Sequence, residues 1–138
     1  MIETIGRLHG LFEKFPCLAV SCNNAAGTMF RLCIDIVTRQ MLPEEDEHDL
    51  NARNRRNLGL RLPWLFDHGS LPESLRELST CVWEYGNDGA HAGTLTSEDA
   101  EDLLDFTCLL LERIYTEPAR LRLAEARRHE RRGDTSGA

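Results

Sequence analysis

Apolar residues along this chain recur three and four positions apart, and no stretch alternates convincingly, so the pattern predicts helices throughout. Residues 2–15 carry Ile2, Ile5, Leu8, Leu11, Phe12 and Phe15 at helical spacing and are ended by Pro16. A longer helix is expected over residues 23–42, with Asn23 or Asn24 as its cap and Pro43 as its stop. Its core stripe would be Ala25, Met29, Leu32, Cys33, Ile36 and Gln40. The acidic run "PEEDEHD" reads as a solvated loop, and residues 57–69 as a short helix broken or begun at Pro63 and closed at Gly69. Ser70, Pro72 and Glu73 are placed as cap, first turn and capping-box partner of a further helix that runs at least to Tyr85.

The segment "TLTSEDAEDLLDFTCLLLERIY" has two cap readings, Thr96 with Asp99 or Ser97 with Asp102 nearby, and an acidic first turn that suits the helix dipole. It is apolar around most of its circumference through Ala100, Leu103, Leu104, Phe106, Leu109, Leu110, Leu111 and Ile114, so it is expected to be the central and most buried helix. Pro118 starts a last, arginine-rich helix. The reading is all-α: a compact bundle of about four core helices with short N- and C-terminal additions, forming one domain over 1–132 with a disordered tail at 133–138.

Composition narrows the function classes. The chain has 138 residues, enough for one core, with 41% hydrophobic and 28% charged residues. No run approaches the roughly 18 apolar residues that cross a bilayer. The N-terminus has neither a basic leader region nor a continuous apolar one, so a cytoplasmic protein without membrane contact is expected. Five cysteines at irregular positions make no disulfide framework and read mostly as small buried hydrophobes. No CxxC or HxxxH spacing supplies a metal site, and no cofactor is expected. The formal net charge of −7 does not advertise nucleic-acid binding, although Arg53, Arg55 and Arg56 form a local basic cluster, as does the C-terminal tail.

Candidate chemistry concentrates in "WEYGNDGAHAG". Projected at 100° per residue, residues 71–91 separate Leu75, Leu78, Val82, Tyr85 and Gly89 on a core face from Thr80, Glu84, Asn87 and His91 on the far face. One reading is a polar helix end loosened by Gly86 and Gly89. The other has Asn87 and His91, one turn apart, addressing the same phosphate or partner group. Histidine titrates near neutrality and moves protons, an amide fixes an oxygen without changing charge, and glycines let a backbone approach closely.

From about Ala25 to Arg128 the chain resembles the prokaryotic domain-of-unknown-function family 4145, a branch of the HEPN-like helical superfamily. The resemblance rests on Arg31 and Asp35 in "AAGTMFRLCIDIVTRQM", on "GNDGAH", and on Leu111 to Pro118 in the closing segment. It implies an up-and-down helical bundle that commonly dimerises and often serves toxin–antitoxin, restriction or anti-phage systems. Active members of the superfamily pair an Arg with a His five residues later, and two copies build a metal-independent endoribonuclease site. Here Gly86 stands five residues before His91. Arg76 lies about 22 Å from His91 along a continuous helix and cannot substitute. Arg31 is the alternative cation, weighed against a plain surface pair with Asp35.

Three expectations follow. The first is an interaction and regulatory module in a defence or toxin–antitoxin type assembly, a homodimer or a hetero-oligomer with a larger effector, with Glu84, Gly86, Asn87, Gly89, Ala90 and His91 at its interface. The second is a ribonuclease using Asn87, His91 and Arg31 on RNA. The third is nucleic-acid binding without cleavage through Arg53, Arg55 and Arg56.

Overall fold

The structure is a computed structural model that describes residues 16–87 and 94–134. Helix α1 spans Pro16–Gln40, α2 Ala52–Arg56, α3 Leu58–Asp67, α4 Cys81–Asn87, α5 Ser97–Leu111 and α6 Glu117–Asp134. No strand occurs among the described residues, and the fold is an all-α helical bundle. By packing, the chain falls into two units, residues 1–107 and 108–138. The helix expected over 2–15 and residues 135–138 of the expected tail lie outside the described residues, while Gly133 and Asp134, expected in that tail, are helical.

α1 begins seven residues earlier than its expected cap. Pro16, expected as a stop, opens this helix, a position where its fixed φ is favourable and its missing N–H costs little. Asn23 and Asn24 are therefore interior residues, and their amides turn to another part of the chain. Asn24 Oδ1 accepts the Leu95 N–H at 2.7 Å, and Asn23 Nδ2 donates to Leu95 O at 3.4 Å and to Ser97 Oγ at 3.3 Å. Gly27 makes this approach feasible: a Cβ there would lie 2.2 Å from Leu95 Cδ1.

The expected core stripe of α1 is on the wrong side. Met29, Leu32 and Ile36 are 62%, 50% and 48% exposed, while Ile34, Val37 and Thr38 are buried. The helix has apolar residues on two faces, and periodicity alone does not say which one the rest of the unit covers.

Arg61 decides the inner face. This arginine on α3 is 0% exposed, and each of its guanidinium nitrogens has an acceptor. Nε donates to Thr38 Oγ1 at 3.0 Å, Nη1 to the Arg55 carbonyl, and Nη2 to the Asp35 carboxylate and carbonyl. Thr38 Oγ1 in turn donates to Ile34 O at 2.6 Å. A charge this deep is tolerable only when paired and hydrogen-bonded, and here it bolts α3 to α1 around Leu62, Leu65 and Phe66.

α3 starts at Leu58 under an Asn57 cap whose Oδ1 accepts the Gly59 N–H at 2.9 Å, and it passes through Pro63 without breaking. The bond that Pro63 cannot donate falls at Gly59, an exposed residue. The stop at Gly69 is as expected: φ is +71°, and Ser70 N donates to Leu65 O at 2.9 Å.

Residues 70–80 do not form the expected helix. They make two 3₁₀ turns, Glu73–Leu75 and Leu78–Thr80, and α4 begins only at Cys81. Ser79 Oγ donates to Arg76 O at 2.6 Å and Thr80 Oγ1 to Glu77 O at 2.8 Å, and such side-chain bonds compete with the helical ladder. Leu71, Leu75 and Ser79 still reach the interior.

α5 has the Thr96–Asp99 capping box: Asp99 N donates to Thr96 Oγ1 at 3.1 Å, and Thr96 N to Asp99 Oδ2 at 2.8 Å. Its buried face in the first unit is Ala100, Leu103, Phe106 and Thr107. Leu104, expected in the core, is 40% exposed, Leu109 is also exposed, and Leu111 is half-buried. α5 thus buries one face and not its whole circumference.

In the second unit a π-helical turn, Glu112–Thr116, runs without a break into α6, so Pro118, expected to start a helix, lies inside a continuous helical run. A proline there cannot donate to the preceding turn, and the wider π-helical turn stands just before it. Arg113 pairs with Glu117 at 2.6 Å.

Candidate functional site

Two elements carry the residues in which the sequence placed its chemistry. α1 carries Arg31, and α4 leads into the signature and ends at Asn87. The backbone of Gly86 and Asn87 is helical. His91, Gly89 and Ala90 lie outside the described residues. Both borders of the signature are tied to the first unit. Before it, Cys81 and Val82 are buried. After it, Leu95 is held on α1 by Asn23, Asn24 and Gly27. This clamp was not foreseen: the two asparagines resemble a helix cap in sequence, and only the early start of α1 frees them.

Arg31 does not form the surface pair with Asp35 that was the alternative to a functional role. Asp35 is taken by Arg61 and by Arg39, whose Nε lies 2.9 Å from Asp35 Oδ2. The Arg31 Nε and Nη2 atoms are buried and have no hydrogen-bond partner. Those two nitrogens form one edge of the guanidinium, the fork that receives two oxygens of a carboxylate or phosphate side by side. A buried polar group without a partner is rare and calls for an explanation.

The Arg31 charge is felt at Cys81 on α4. The Cys81 thiol is pushed up to about 12, first by burial and then by the charges of Asp102 and Glu84; Arg31 acts in the opposite direction and is outweighed. Cys81 Sγ lies 3.8 Å from Asp102 O. A thiol so far from its thiolate at neutral pH is no nucleophile. It is the one buried cysteine among the described residues whose side chains are placed; Cys22 and Cys108 are exposed, contrary to the expectation that most would be buried.

Glu84, on the expected outward face, lines an open cavity of about 350 Å³ with Ser74, Glu77, Leu78, Thr80, Cys81 and Asp102. Arg76 is engaged with Glu73 at 2.6 Å and Asp67 at 2.8 Å and lies over the Phe66 ring. No group of His, Cys, Asp and Glu among the described residues could hold a metal ion.

The basic cluster divides in the structure. Arg55 folds back on the acidic loop, its Nε on Asp46 Oδ1 at 2.8 Å and its Nη2 on the Pro43, Glu44 and Glu45 carbonyls at 2.8, 3.3 and 3.0 Å. Arg53 and Arg56 are exposed.

Fold and site together define a small all-α helical domain with an unpaired cation beside its signature helix. Over residues 12–131 the chain matches the family model described as a domain of unknown function, DUF4145. The chain belongs to that family. No characterised protein and no solved structure matches it. No helix among the described residues is long and apolar enough to cross a membrane.

Proposed function

We propose that the chain is a HEPN-like module that works in the cytoplasm through a partner protein, as part of a prokaryotic defence or toxin–antitoxin type assembly. The observation that carries this reading is the outer face of α1, where Met29, Leu32 and Ile36 stand together in solvent. Apolar residues scattered singly on a surface need no explanation, whereas several on one helical face mark a contact surface. Gly86 in the place of the expected arginine argues in the same direction. The partner is a second copy or a larger effector, and the signature residues Glu84 to His91 belong to the same module. Purification from native cells tests this: wild type is expected to bring down a larger protein or elute as a dimer, and Met29→Glu with Ile36→Glu to lose it. A wild-type protein that stays monomeric and partnerless would contradict the reading.

A second reading is favoured by Arg31. In it, the chain is a metal-independent endoribonuclease. The RNA 2′-hydroxyl attacks the adjacent phosphorus, the 5′-oxygen leaves, and His91 handles the proton transfer. Asn87 holds a phosphate oxygen, and the Arg31 fork balances the charge of the pentacoordinate phosphate. Losing such a donor costs about 3 to 4 kcal/mol of barrier. Cleavage of RNA in EDTA is expected from wild type and not from His91→Ala or Arg31→Gln. No cleavage by wild type, or equal cleavage by all three, would remove this reading.

A further inference from the structure

Two arginines of α2 that hold no other part of the chain sit together. Of the cluster 53–56, Arg55 is held by the acidic loop, which leaves Arg53 and Arg56. Three positions apart on α2, they share a face with their Cβ atoms about 5–6 Å from each other. Both line an open cavity of about 750 Å³ together with Ala52, Asn57 and Leu58.

The polar chemistry of that cavity is one-sided. Asn57 uses its Oδ1 to cap α3, accepting the Gly59 N–H at 2.9 Å, so the amide offers its Nδ2 as a donor. Among the described lining residues there is no carboxylate, although the chain carries a net charge of −7 and a run of acids lies only a few residues earlier. Arg55 keeps that acidic run anchored through Asp46 and three backbone carbonyls. Two guanidinium groups, an amide donor and the small apolar surface of Ala52 and Leu58 therefore face one opening.

We propose that Arg53, Arg56 and Asn57 form a phosphate-binding site for a nucleotide or a short single strand, separate from the signature region and independent of either functional reading above. Guanidinium forks bind phosphate oxygens in pairs, and adjacent phosphates suit two arginines one turn apart. The opening is wide and shallow, so it admits a phosphate chain lying across both arginines. Arg55 is not a ligand in this site; it fixes the loop beside it.

Fluorescence anisotropy with a labelled twelve-nucleotide single-stranded RNA tests the proposal. Saturable binding is expected, and two contacts to a single strand predict a fall in affinity of about 7-fold between 50 and 200 mM salt. Arg53→Gln with Arg56→Gln is expected to abolish binding while leaving the melting temperature unchanged, since both side chains are exposed. Displacement of the RNA by ADP would assign the site to a single nucleotide, and retention of the RNA would assign it to a strand. The proposal is overturned if no saturable binding occurs, if affinity ignores salt, or if the double variant binds like wild type. It is equally overturned if a glutamate peptide competes as well as RNA, or if Arg127→Gln with Arg128→Gln abolishes the binding instead.

Discussion

Arg61, reaching from α3 to α1, and Arg31, on α1 itself, are two arginines against the same helix with opposite surroundings. Arg61 donates to Thr38, to the Arg55 carbonyl and to Asp35, and is fully enclosed. Arg31 has two buried nitrogens that nothing accepts. A buried guanidinium whose three nitrogens all have acceptors works as a fixed joint of the fold. A half-buried guanidinium with two buried donors left free costs stability, and those donors suit a group that arrives from outside. The contrast separates the scaffold of this protein from the part that has chemistry left to do.

The joint should break hardest. Arg61→Met leaves Asp35 without its inner partner and is expected to cost about 3 to 5 kcal/mol in urea unfolding. Pairing it with Asp35→Leu should recover much of that loss, because no uncompensated charge remains.

Next come the two leucines that the sequence treats alike. Leu103→Ala empties a fully buried position and should cost about 2 to 5 kcal/mol, whereas Leu104→Ala, at 40% exposure, should cost about 1 kcal/mol or less. Equal losses would mean that α5 is buried all round after all.

The clamp on Leu95 is a smaller effect. Gly27→Ala puts a methyl 2.2 Å from Leu95 Cδ1, and Leu95 must shift, at a cost of about 1 to 3 kcal/mol. Hydrogen exchange at the Leu95 amide should rise with it.

The subtlest test is titration near Arg31. The Cys81 thiol is raised from 9.0 to about 12 in the fold, so the native state holds this proton more tightly than the unfolded chain. Its contribution is intact below pH 9 and is lost as pH rises from 9 towards 12. Urea midpoints of wild type and Cys81→Ala should therefore converge above pH 9. Alkylation at pH 8 should label Cys22 and Cys108 well before Cys81.

Local chemistry was the legible part of the sequence. The Thr96–Asp99 box and the Gly69 stop each depend on residues a few positions apart, and both stand where expected. Choosing between two apolar faces was not legible. The stripe through Met29, Leu32 and Ile36 is as periodic as the buried set of Ile34, Val37 and Thr38, and the tie-break is Arg61, 23 residues away from the Thr38 it binds. The same long range hid the site. Asp35 looks like the natural partner of Arg31 at helical spacing, and only the arrival of Arg61 and Arg39 shows that it is taken. A glycine in mid-helix, Gly27, was the one local sign that another segment approaches α1.

The account turns on Arg31 being kept for something other than folding. Equilibrium urea unfolding of Arg31→Met, run beside Arg61→Met, measures this directly. Removing two unaccepted buried donors should leave stability equal to wild type or raise it by about 1 to 3 kcal/mol. A loss approaching that of Arg61→Met would contradict it, and would place Arg31 among the joints of the fold.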